Sequence, residues 1–179
     1  RVTIVKGSVD DRVEIRRVDG SAAETRFPKK GPVPHDAVHW IVEETLALPD
    51  GFWGKIAGGL HPDQVQGLAK AAGHASAARA TVPDADIVQL LQAERLVECF
   101  EAALWSGGSD AASVRHMGEA GCATSHVDFP AITDAQIDAA MARVLAMHAE
   151  WLPHLLATAC PLIGLRDDDR DARPRDRFH

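Results

Sequence analysis

The sequence predicts an α+β fold: a small N-terminal antiparallel three-stranded meander packed on a body of four to five helices. Three observations carry this. β-branched residues with partial period-two alternation are confined to about the first 27 positions. A run with three prolines, FPKKGPVP, follows at 27–34. Beyond it, apolar residues recur at helical spacing.

RVTIV and RVEIRRV read as the first two strands, separated by the turn-like GSVDD. VDGS at 18–21 places Asp19-Gly20 where a two-residue hairpin needs positive φ, and AETRF returns as the third strand. A meander this small is stable only against another layer. The proline run is an extended connector. Pro34 suits the first turn of the next helix, with Asp36 near its positive end. That helix is expected from Pro34 to Leu48, stopping at LPDG.

FWGKIAGGL reads as a short helix or turn, and residues 61–80 as a weak, alanine-rich, glycine-interrupted helix. A stronger helix is expected from Pro83 to Trp105. Residues 106–130 show no periodicity and are expected to be a long loop. Thr133 and Gln136 form a capping-box signature for a helix ending at Pro153. The whole reads as one domain over 1–165: sheet and connector at 1–33, helices at 34–105, the loop at 106–130 and a C-terminal helix at 131–160. Residues 166–179, rich in Arg and Asp, read as a disordered charged tail.

Apolar residues are 46% of the 179 and charged residues 25%, as expected of a globular chain with a sizeable core. No apolar run is long enough to cross a bilayer, so no membrane partner is expected. Three cysteines, Cys99, Cys122 and Cys160, without C-x-x-C spacing, suggest a reducing, cytoplasmic setting. The net charge of −7 is uneven: residues 1–34 carry eight bases and five acids, whereas residues 35–165 carry six bases and sixteen acids. An acidic helical body lacks the basic stripe that nucleic acid requires. A divalent cation, a basic peptide or a small molecule suits it better. Nothing in the sequence sets an oligomeric state.

The candidate site begins in HDAVHWIVEE. On a helix, His35, His39, Val42 and Leu46 fall within a sector of roughly 60°. The imidazoles therefore sit one turn apart at the edge of the apolar stripe. Paired i, i+4 histidines can share one ion, the geometry of His-Glu-x-x-His zinc peptidases. Asp36 stands where those enzymes carry glutamate and is one methylene too short to serve as their base. Asp36 and Glu43 are assigned instead as acceptors that hold the rings. A straight helix rises about 12 Å over eight residues, so His35, His39 and Glu43 cannot all wrap one ion.

Further ligands must come from other helices. Glu94, Glu98 and Glu101 lie close to the line through Ile87, Leu91 and Trp105, and His148 falls among Ile137, Met141, Val144 and Trp151. Glu94, Glu98 and His148 are the candidates to complete the site. Each has a plain structural alternative: a histidine on an apolar stripe packs as readily as it ligates, and the glutamate row suits a solvated face. No serine-nucleophile elbow, dinucleotide fingerprint or phosphate loop is present.

PHDAVHWIVEETLALPDGFWGKIAGG, residues 34–59, resembles a group of uncharacterised bacterial proteins. In these a short N-terminal sheet precedes Pro-His-Asp-x-x-His-x-x-x-Glu and a Gly-Phe-Trp-Gly segment. The resemblance covers roughly residues 1–60 and the AEWLP region. It implies that His35, Asp36, His39 and Glu43 act together, and it implies no activity.

Two functions follow as expectations. One is a protein binding a divalent metal, zinc before manganese, iron or nickel, and acting as a metal-dependent hydrolase. The alternative is a non-catalytic domain that binds a ligand or protein, with Trp40, Phe52 and Trp53 lining a groove and the histidines as a structural cluster.

Overall fold

A computed structural model describes residues 1–7, 9–28, 33–71 and 83–152. Strands β1 (Val2–Val5), β2 (Asp10–Arg16) and β3 (Ala22–Pro28) form an antiparallel sheet in the order β1-β2-β3. Alternation decides which face is buried. Val13 and Ile15 of β2 sit opposite Ile4 and Val2 of β1, and all four are buried. The β2–β3 turn is a correction: the Arg17 amide donates to the Ser21 carbonyl, leaving three loop residues. Only Gly20 there has positive φ, at 84°, as in a type I turn closed by a bulge rather than a two-residue hairpin.

Among the described residues six α-helices follow: α1 (His35–Thr45), α2 (Phe52–Ala57), α3 (Pro62–Ala71), α4 (Val88–Trp105), α5 (Ala111–Thr124) and α6 (Asp134–Trp151), with a short 3₁₀ turn at Ala85–Ile87 before α4. The architecture is α+β. The capping box at Thr133 and Gln136 is formed in both directions. The expected 106–130 loop is a second correction, because 111–124 is helical. Asp110 caps α5 by accepting from the Ser113 amide at 2.7 Å, and Ala111, Val114, Gly118 and Cys122 form its buried stripe. A Cβ at Gly118 would meet the Phe129 ring at 2.6 Å, so this helix is held by close packing rather than by propensity.

α4 is the hub, packing against α1, α5 and α6. It is buried on nearly every side, through Leu90, Leu91, Ala93, Leu96, Val97, Phe100 and Ala103. Phe100 is fully buried, so truncating it to alanine would cost about 3–5 kcal/mol. No helix among the described residues is long and apolar enough to cross a membrane. The middle of the proline connector, the second half of the 61–80 helix, the end of the 131–160 segment, Cys160 and the 166–179 tail lie outside the described residues.

Candidate metal centre

α1 starts at Pro34, whose carbonyl accepts from the Ala37 and Val38 amides. Its end is as important as its start. Ala47 adopts a left-handed φ of 55°, and the Leu48 amide returns to the Glu43 carbonyl at 2.9 Å. This six-to-one closure is a Schellman ending, with alanine where glycine is usual. It turns the chain back along α1, so that α2 begins directly over Glu43. The Glu43 carboxylate, 5% exposed, accepts from the Phe52 amide at 3.0 Å and the Trp53 amide at 2.8 Å. An acid at the N-terminus of α2 satisfies donors that a helix start leaves open.

Both glycines of GFWG serve this approach: a Cβ at Gly51 would sit 2.6 Å from Glu43 Cδ, and one at Gly54 would sit 1.7 Å from the Pro49 oxygen. The Trp53 indole donates to the Asp36 carbonyl at 2.9 Å and closes the unit from its other end.

The unit fixes His39. Its Nδ1 lies 3.0 Å from Glu43 Oε1, and the ring is 2% exposed. His35, one turn earlier, is held at Nδ1 by Glu101 Oε1 at 2.8 Å. The rings meet edge to face at 4.8 Å between centroids. Both Nε2 atoms face a third carboxylate: Glu94 Oε2 is 3.6 Å from His39 Nε2 and 3.9 Å from His35 Nε2. These separations exceed a hydrogen bond. They sit close to the ~3.4 Å between neighbouring ligand atoms around a tetrahedral ion with bonds of about 2.1 Å.

The ligand atoms of His35, His39 and Glu94 all lie within 4.8 Å of one another, close enough to hold a metal ion. Desolvation by burial would depress the His39 pKa, but the Glu94 charge and the Glu43 hydrogen bond outweigh it and raise it to about 10.

The other candidates lie elsewhere. Glu98 pairs with Arg95 at 2.7 Å and is 46% exposed, one turn past Glu94 and rotated away from α1. His148 is half-buried on α6, where Val144, Met147 and Trp151 occupy the buried stripe; it belongs to no group of three possible ligands among the described residues. Asp36 lines the cavity beside the histidines, and its backbone carbonyl serves Trp53. The aromatic set divides. Phe52 packs on His39 at 5.6 Å and lines the same cavity as His35, His39 and Glu94, whereas Trp40 and Trp53 meet edge to face at 5.7 Å against a separate small cavity.

Glu101 was missed as a partner of His35. The available signal was its spacing: seven residues from Glu94 brings both within about 20° on one helix face, whereas Glu98 stands about 40° to the other side.

The centre opens onto a cavity of about 240 Å³ lined by Phe27 and Pro28 of β3, His35, Asp36 and His39 of α1, Phe52 of α2, Gln66, Ala69 and Lys70 of α3, and Glu94 of α4. Comparison with protein-family models, curated proteins and solved structures finds no match to this chain.

Proposed function

We propose that this protein binds a divalent metal ion, zinc foremost, through His35 Nε2, His39 Nε2 and Glu94, and that it is a metal-dependent hydrolase. One observation carries the reading: each histidine has its Nδ1 engaged by a carboxylate while its Nε2 faces Glu94. An Nδ1–H donated to a carboxylate fixes the tautomer with the Nε2 lone pair available, as metal-binding histidines require. At 3.6 and 3.9 Å, Glu94 pairs with both imidazoles when they are protonated, and the same separations suit ligand atoms gathered around one ion.

Charge supports the same reading. With both imidazoles neutral, Glu43, Glu94 and Glu101 place three negative charges around the site, and a divalent ion reduces the net to minus one. A raised His39 pKa means that a proton serves as counter-charge in the ion's absence. Two imidazoles and one carboxylate suit zinc, and manganese, iron or nickel also accept this set. Three protein ligands beside a cavity leave a coordination position for water or substrate, the pattern of catalytic rather than structural sites. There the ion would supply an ionised water near neutral pH. The chain's own residues orient the ligands and shape the cavity.

The test is the metal content of protein purified without chelator or a histidine tag, beside a His35→Ala/His39→Ala variant. Near-stoichiometric metal that disappears in the variant supports the reading and justifies a hydrolase screen. A wild type that carries no metal and does not take up zinc, nickel or manganese at micromolar concentration rules it out.

A further inference from the structure

The cavity is lined by groups of opposite charge character. His35, Asp36 and His39 of α1 and Glu94 of α4 line it. So do Gln66 and Lys70, one turn apart on α3, with Lys70 exposed to solvent. Phe27, Pro28, Phe52 and Ala69 supply its apolar walls. Phe27 and Phe52 stand 6.1 Å apart, tilted at 60°, and form an apolar side rather than a stacked plug. Lys70 is the only lysine or arginine lining this cavity among the described residues, on a body that carries ten more acids than bases between 35 and 165. A volume of about 240 Å³ holds about eight waters, the scale of a small molecule rather than of a folded partner.

We infer that the cavity takes a small organic anion, an N-acyl amino acid or similar acyl-bearing carboxylic acid, seated with its carboxylate on Lys70 and its apolar side chain against Phe27 and Phe52. The inference rests on the metal centre proposed above and specifies what that centre would act on. Orientation follows from charge. Metal plus three carboxylates carries a net negative charge, so the ligand's own carboxylate is disfavoured there and favoured at the Lys70 ammonium. The neutral acyl carbonyl is thereby directed to the metal, which polarises carbonyl oxygens. Gln66, one turn from Lys70, can donate to the same carboxylate.

The experiment compares N-acetylleucine with its uncharged, equally shaped amide, N-acetylleucinamide, by calorimetry on zinc-loaded wild type, Lys70→Met and Lys70→Arg, with zinc content measured for each. The expected result is acid binding at least about tenfold tighter than amide in wild type. The preference should shrink to about twofold or less in Lys70→Met and persist in Lys70→Arg, with zinc content unchanged throughout. Zinc-loaded protein that binds both probes equally, or neither, overturns the inference and leaves the metal centre standing. A preference retained in Lys70→Met overturns it too, since the metal would then hold the carboxylate. Failure to load zinc overturns the metal reading and the inference with it.

Discussion

A methyl group at position 51 tests how the histidine site is built. Gly51 has φ −69° and ψ −165°, which alanine adopts without strain, so any effect of Gly51→Ala comes from contact alone. The added Cβ would sit 2.6 Å from Glu43 Cδ and 2.7 Å from Oε2. Ordinary contact is about 3.5–4.0 Å, so the carboxylate must withdraw by about 1 Å. Glu43 makes three bonds, to the Phe52 amide, the Trp53 amide and His39 Nδ1, all between 2.8 and 3.0 Å. Withdrawal by that distance breaks or bends at least two of them in a buried setting, at about 1–3 kcal/mol each.

The variant should therefore lose about 2–6 kcal/mol in urea unfolding of chelator-treated protein. Its zinc affinity, from competition with a chromogenic chelator, should fall about 10–100-fold because His39 loses the acceptor that orients it. Gly67→Ala is the control: nothing lies within 4 Å of its added Cβ. That change should be neutral or stabilise by up to about 1 kcal/mol. A Gly51→Ala protein within about 0.5 kcal/mol of wild type, with unchanged zinc affinity, would refute the proposed construction of the site.

The remaining predictions concern charge and ligand identity. The folded His39 pKa of about 10 lies above the ordinary 6.5, so its contribution to stability is fully present below pH 6.5 and is lost as pH rises through 10. Metal-free protein should thus show a falling urea midpoint over that range, and His39→Gln should flatten most of the decline. Zinc affinity should move the opposite way, rising by about tenfold per pH unit for each proton the ion displaces, which titration at several pH values measures. Glu94→Gln should weaken zinc at least about 100-fold and Glu101→Gln about 10–100-fold, whereas Glu98→Gln should leave it within about twofold of wild type. Equal losses at Glu94 and Glu98 would assign the third ligand differently.

Legibility from sequence followed the range of the forces involved. The sheet, α1 and the α6 capping box are set by neighbours within a few residues, and alternation, Pro34 and the Thr133–Gln136 pair announce them locally. The pairing of His35 and His39 was likewise legible, because one helical turn relates them. α5 was not: Gly118 and Gly121 weaken its propensity, and its stability comes from packing on α4 and α6. The choice among Glu94, Glu98 and Glu101 depended on which side of α4 meets α1. Since α4 is buried nearly all round, its apolar pattern has no single face to mark that side. The part played by GFWG was hidden for a related reason. It acts through a chain reversal at Ala47, where a left-handed alanine leaves no glycine signal.

The most direct test of the metal centre is a zinc-edge anomalous difference map from a crystal of the zinc-loaded protein. One peak is expected about 2.0–2.2 Å from His35 Nε2, His39 Nε2 and a Glu94 oxygen, with His39 Nδ1 still on Glu43 and His35 Nδ1 still on Glu101. A map with no peak there, or with zinc bound only at other side chains, would contradict it.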